Sequence, residues 1–160
     1  MYQIPLPLAE LELENPPDDT GLTMSEKRSI RNVWNMISPD IEKHACEQSV
    51  RFLIENEEIV DKFRNKQGVI NIRALHKHRF MVFHVLEILI FKGLEGLLQL
   101  NGIIKPIAFA HLKNGINEDN MRKMCCNLSN YLKDVLQKVM SPTIETAIDK
   151  VFNNILTAYQ

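Results

Sequence analysis

The residues of this 160-residue chain best suited to chemistry are its five histidines, His44, His76, His78, His84 and His111. Three of them read as solvated surface. His84 shares a polar stripe with Lys77, His76 flanks that stripe in the run His76-Lys77-His78-Arg79, and His44 follows Glu42-Lys43. The other two differ. At 100° per residue His78 lies on the apolar side of its segment, one turn before Val82 and two before Leu86. His111 closes the run Pro106-Ile107-Ala108-Phe109-Ala110, one turn after Ile107. An imidazole directed into an apolar environment loses hydration unless it finds a partner. Singly, each is more often a hydrogen-bonded core histidine than a ligand. A pair of them, on separate apolar stripes, raises the case for a shared ligand.

Spacing alone does not name that ligand. Zinc takes four protein ligands, or three and a water, and the sequence shows no third. A large flat apolar cofactor whose metal needs only axial protein ligands, a haem, fits the pair better. Other chemistry is sparse. Cys46, Cys125 and Cys126 form an odd set with two adjacent members and no CxxC, which reads as free thiols in a reducing compartment. Cys125 and Cys126 would face different directions on a helix, with at least one buried and inert. The seven methionines read as core filler. Glycine-rich phosphate loops, GxSxG and HExxH are absent, so nothing announces a kinase, hydrolase or metalloprotease.

The elements that must position the histidines read as helices with marked ends. Thr23-Met24-Ser25-Glu26 is a capping box opening a helix to about Ile37. Ser38-Pro39 predicts a capped restart and a second helix to about Asn56, followed by a short turn of helix to Phe63 and a loop over 65–71. A long helix spans about Ile72 to Phe91, with Arg73, Lys77, His84 and Glu87 on its polar side. Gly93, Gly96 and Asn101-Gly102 predict turns around a short helical piece, and Ile103–Pro106 introduces another, ending near Asn114-Gly115. Asn117 caps the next helix and Ser141-Pro142 begins the last. Sustained strand alternation is missing, so the expectation is an all-α fold of seven to eight helices.

Composition agrees with one globular domain, 45% hydrophobic and 24% charged. A net charge of −1 makes no electrostatic case for nucleic-acid binding. No apolar run reaches the roughly 20 residues of a membrane span; the longest, Phe80–Phe91, is broken by His84 and Glu87. Residues 1–21 hold five acidic side chains, four of the seven prolines and no Lys or Arg, and lack the basic start and apolar core of a secretion signal. They read as a disordered acidic extension, leaving 22–160 as the folded domain in a cytoplasmic protein.

In order and spacing the landmarks of residues 22–160 resemble a globin. Trp34 stands in the first helix where globins commonly carry tryptophan. Phe63, 29 residues later, resembles the phenylalanine that packs on the haem face. His78, Val82 and Leu86 resemble the distal histidine, distal valine and next core leucine. Pro106–His111 resembles the segment ending in the proximal, iron-ligating histidine, and Ala147–Phe152 the start of the final helix. The character is closest to divergent intracellular invertebrate and neuroglobin-like members. Glu57 departs from the usual proline. The distal position of the second helix falls on Ser49, or on Val50 with a slip of one, and the two usual late aromatic contacts are only partly kept. Ala110 replaces a serine that often bonds the proximal ring, which sends that ring's proton most simply to the Ile107 carbonyl.

The resemblance implies a haem b cofactor in a pocket, with His111 as proximal iron ligand. Phe63 would stack on the haem, Val82 would shape the distal side, and Leu86, Ile107, Ile116 and Met121 would line the walls. Lys62, Arg64, Arg79 and Lys113 are the propionate candidates. The implied function is reversible O₂ binding for storage, diffusion or sensing, with CO and NO as further ligands and no catalytic residue. His78 would donate to the gas, or ligate the iron itself when no gas is bound. Two other functions compete: a haem redox enzyme or sensor (nitric-oxide dioxygenase, nitrite reductase or peroxidase-like, partnered by a reductase), and a haem-free interaction module. A homodimer is a further open partner.

Overall fold

The computed structural model describes residues 16–160; residues 1–15, and with them most of the expected acidic extension, lie outside the described residues. The described chain is all-helical. Its seven α-helices are α1 (Met24–Ile37), α2 (Ile41–Glu55), α3 (Glu57–Val60), α4 (Ile72–Phe91), α5 (Leu97–Lys113), α6 (Glu118–Val135) and α7 (Pro142–Thr157), with short 3₁₀ turns between several of them. Most helix starts follow the expected cap chemistry. Glu26 N–H donates to Thr23 Oγ1 at 3.1 Å and Thr23 N–H donates to Glu26 Oε2 at 2.9 Å, closing the capping box of α1. Asn71, Asn117 and Ser141 accept in the same way at the starts of α4, α6 and α7.

Helix α1 packs on α7 and α4, α2 on α4 and α6, and α6 on α7. The core between them is centred on large aromatic side chains in tilted and edge-on contact. Trp34 and Phe83 rings lie 6.1 Å apart and Phe83 and Tyr131 rings 6.4 Å apart, all three almost wholly buried. Leu89, Ile90, Ile148 and Val151 fill the spaces around them.

Four expectations are corrected. Ser38 does not cap; it lies in a 3₁₀ turn, and its hydroxyl donates to Glu87 Oε2 at 2.9 Å. Glu87, expected on the polar side of its helix, is half-buried. It also accepts from Trp34 Nε1 at 2.9 Å, so the carboxylate serves the buried indole of the neighbouring helix. The region 97–113 is one helix rather than two. Pro106 has no N–H for the Gly102 carbonyl, but both residues are exposed, and water can take that carbonyl while Leu100, Ile104 and Ala108 bury at helical spacing. Finally, the folded body begins before residue 22. Leu22 and Thr20 are buried, Asp18 pairs with Lys27, and Asn154 Nδ2 donates to the Thr20 carbonyl at 2.9 Å.

Helix α5 is set apart from the bundle. Among the described residues its only extensive backbone neighbour is the turn Gly93–Glu95 that precedes it. Its first turn is pinned from a distance, where Leu97 N–H donates to Asp19 Oδ1 at 2.9 Å. Its last turn closes through Gly115, whose φ of +79° lets Ile116 N–H reach back to the His111 carbonyl at 2.9 Å. Asp19→Ala removes the only side-chain acceptor at the start of α5 among the described residues. We expect a loss of about 1 kcal/mol, with faster amide hydrogen exchange confined to the first turn of α5; uniform acceleration across the chain would contradict this.

Candidate functional site

A cavity of about 430 Å³ lies between α5 and the bundle, lined by side chains of α2, α4, α5, α6, α7 and the segment ending at Phe63. Phe63, His78, Val82, Leu86, Ile107, His111, Ile116 and Met121, which the sequence singles out from four separate segments, all face it. The lining is overwhelmingly apolar, as small-molecule sites are. Such a lining favours an apolar occupant over water.

His78 and His111 confront each other within the cavity. Their ring centroids are 6.2 Å apart and their planes 59° apart. Phe63 meets His78 edge-on, centroids 5.3 Å apart. Burial lowers the pKa of both histidines below the ordinary 6.5, and for His78 the nearby His111 adds to the effect. Both rings are thus favoured as neutral imidazoles, the form that ligates a metal.

His111 does not rely on the Ile107 carbonyl. Its Nδ1 lies 2.6 Å from the hydroxyl of Tyr159, and the two rings stack with centroids 6.0 Å apart. Tyr159 is itself buried, which pushes its phenol up to about 12.

A few polar groups interrupt the apolar lining. Ser49 faces the cavity while Val50 is half exposed. Beside Ser49, Gln48 is almost wholly buried; its Nε2 donates to Asn127 Oδ1 at 3.0 Å, and Asn127 Nδ2 donates to Glu55 Oε2 at 2.7 Å. Of the four cationic candidates, Lys62 and Arg79 line the cavity. Arg64 is instead held by Asp61 and the Gly68 carbonyl, and Lys113 is exposed outside the lining. Among the described residues Arg79 Nε is the one buried side-chain nitrogen or oxygen without a hydrogen-bond partner, a cost that an acceptor on a bound ligand would relieve.

No protein-family model matches this chain, and no curated protein matches it. The site must be read from its own chemistry. Among the described residues no three His, Cys, Asp or Glu side chains converge as a metal-binding group. A closed zinc site of four protein ligands is therefore not formed. Cys125 lines the cavity, but burial pushes its thiol to about 12, far from a reactive thiolate, while Cys126 is exposed. Among the described residues no helix is long and apolar enough to cross a membrane.

His76 and His84 are exposed as expected, but His44 is not simple surface. It is half-buried, and its Nδ1 lies 2.7 Å from the Tyr131 hydroxyl, which in turn donates to Glu47. Gln48 and Tyr159 are the cavity-lining positions with polar partners that sequence reasoning missed. The signal for Gln48 was its place in the buried set Ala45, Gln48, Ser49 and Phe52, at helical spacing on α2. The signal for Tyr159 was its place one turn after Ile155, on the stripe that carries Phe152 into the cavity.

The depressed histidines fix the sign of an acid dependence. Above 6.5 both rings are neutral whether the chain is folded or unfolded. Below it the unfolded chain takes up protons that the folded one resists, so stability falls on acidification. In ligand-free protein, the unfolding midpoint should drop between about pH 7 and 5. A His78→Leu/His111→Leu double variant should show a shallower drop, and parallel curves would contradict the argument.

Proposed function

We propose that this chain is a haem-binding protein of the globin type that binds O₂ reversibly, in the cytoplasm, with His111 as proximal iron ligand and His78 on the distal side. The observation that supports a metal-holding cofactor here is the approach of two half-buried, neutral-favoured imidazoles, ring centroids 6.2 Å apart, at the lining of an apolar cavity. At that separation both rings could offer a nitrogen to one metal, which would supply the ligand-binding centre. Two neighbouring imidazoles with no third such ligand among the described residues would suit a metal whose remaining positions a cofactor itself fills.

The residues also fit the periphery of a haem. The walls are apolar, and the cationic Lys62 and Arg79 stand at the lining, Arg79 with an unpartnered buried Nε, for carboxylates to meet. When bound, haem b supplies a ferrous iron open to O₂, CO or NO. The chain does the rest. His111 presents a neutral nitrogen. Phe63 holds one side of His78, and Val82 limits the room beside it. The apolar walls exclude water, and a distal N–H from His78 is worth more in such a site than in solvent. No residue is assigned a catalytic step.

A second reading is favoured by the same distance. His78 is close enough to share the metal with His111, and external ligands would then have to displace it, which suits sensing or electron transfer.

Absorption spectra of the protein with added haem decide between these. We expect a sharp Soret band that His111→Ala abolishes or strongly alters. A high-spin reduced spectrum that turns oxy in air supports O₂ binding by a free distal side. A low-spin reduced spectrum that becomes high-spin in His78→Leu supports the second reading, and no specific spectrum would overturn both. Arg79→Leu should speed transfer of haem to an excess of acceptor protein roughly tenfold, the scale of one charge-assisted hydrogen bond.

A further inference from the structure

Among the described residues the Tyr159 hydroxyl is the hydrogen-bond partner of His111 Nδ1, at 2.6 Å. The rings stack, tilted by 26°, so the phenol fixes both the position and the plane of the imidazole. Tyr159 is held there in turn. It is 5% exposed, and its backbone N–H donates to the Leu156 carbonyl at 3.0 Å, closing the turn after α7. The contact joins the end of α7 to the last turn of α5, two helices whose backbones otherwise make no extensive contact among the described residues.

The chemistry of this pair follows from the ring. An imidazole that ligates a metal through Nε2 keeps its proton on Nδ1, so the Tyr159 oxygen must then act as acceptor. Resting on the haem reading above, we propose that Tyr159 is a positioning residue for His111. It sets the ring's orientation and tautomer, and because it is a neutral hydroxyl it limits the charge that the imidazole passes to the metal. A carboxylate in that place would make the ring more nearly an imidazolate and strengthen its donation. Strong donation from an axial ligand favours cleavage of an O–O bond. A phenol oxygen is a weaker acceptor, and the resulting modest donation suits reversible O₂ binding rather than peroxide chemistry.

Tyr159→Phe keeps the stacked ring and removes only the hydroxyl. The first test uses ¹⁵N NMR of histidine-labelled, haem-free protein. We expect His111 to occupy the neutral tautomer protonated on Nδ1, with a slowly exchanging proton, in the wild type, and a tautomer mixture in Tyr159→Phe; a single tautomer protonated on Nε2 would overturn the acceptor role of Tyr159. A mixture already present in the wild type would overturn the pairing, whether or not haem binds. The second test uses the haem-loaded protein. Tyr159→Phe should raise the reduction potential while keeping its Soret band. In the His78→Leu background it should lower the iron–histidine stretching frequency. An unchanged potential and stretch would overturn the tuning role. Failure of haem to bind at all would overturn the tuning role with the reading on which it rests, leaving the NMR result to stand alone.

Discussion

The organisation of this chain depends on keeping α5 at a distance from the bundle it covers. A helix that lies on its neighbours is held by interdigitated side chains along its length. Here one stretch of α5 faces a cavity of about 430 Å³ instead, and much of its anchorage is concentrated at its ends. Asp19 accepts from the first turn, and Leu100 and Ile104 reach the main core. At the other end the Gly115 turn, the Lys62 bond to the Gly115 carbonyl at 3.2 Å and the Tyr159–His111 contact hold the last turn. His111 is thus suspended opposite His78 by groups drawn from four separate parts of the sequence.

Polar side chains in the interior and at its edge divide the remaining work. Glu87 serves both Trp34 and Ser38, binding α4 to α1 and its following turn. Gln48, Asn127 and Glu55 form a bonded series between α2 and α6, and His44, Tyr131 and Glu47 form another between the same helices. Such groups would be costly if left unpaired, and when satisfied they favour one arrangement of the helices over near alternatives. The wall of the cavity opposite α5 is therefore braced by directional bonds as well as by packing.

The legibility of this structure divides along physical lines. His78 and His111 were visible because a polar ring on an apolar stripe contradicts the local pattern. Helix starts were visible because caps are local chemistry. The all-helical fold follows from both. What periodicity could not show was which neighbour a side chain would meet. Glu87 and His44 look solvated on their own helices, and only the approach of Trp34 and Tyr131 changes that. Tyr159 sits 48 residues from His111, beyond the reach of any local pattern. Gly102 and Pro106 read as punctuation, yet the buried row Leu100, Ile104 and Ala108 outweighed them. The cap of α5 by Asp19 spans 78 residues and depends on a segment that composition alone assigned to a tail.

The proline in α5 has a mechanical consequence. Without an amide at Pro106 the Gly102 carbonyl has no partner four residues on, so the backbone there resists bending less than an unbroken ladder would. On one side of this soft point Leu100 and Ile104 are locked into the core, while the other side carries His111. The helix acts as a jointed arm, with a stiff root and a compliant forearm. A displacement of the imidazole can be absorbed by tilting a few residues, with no further helical bond broken.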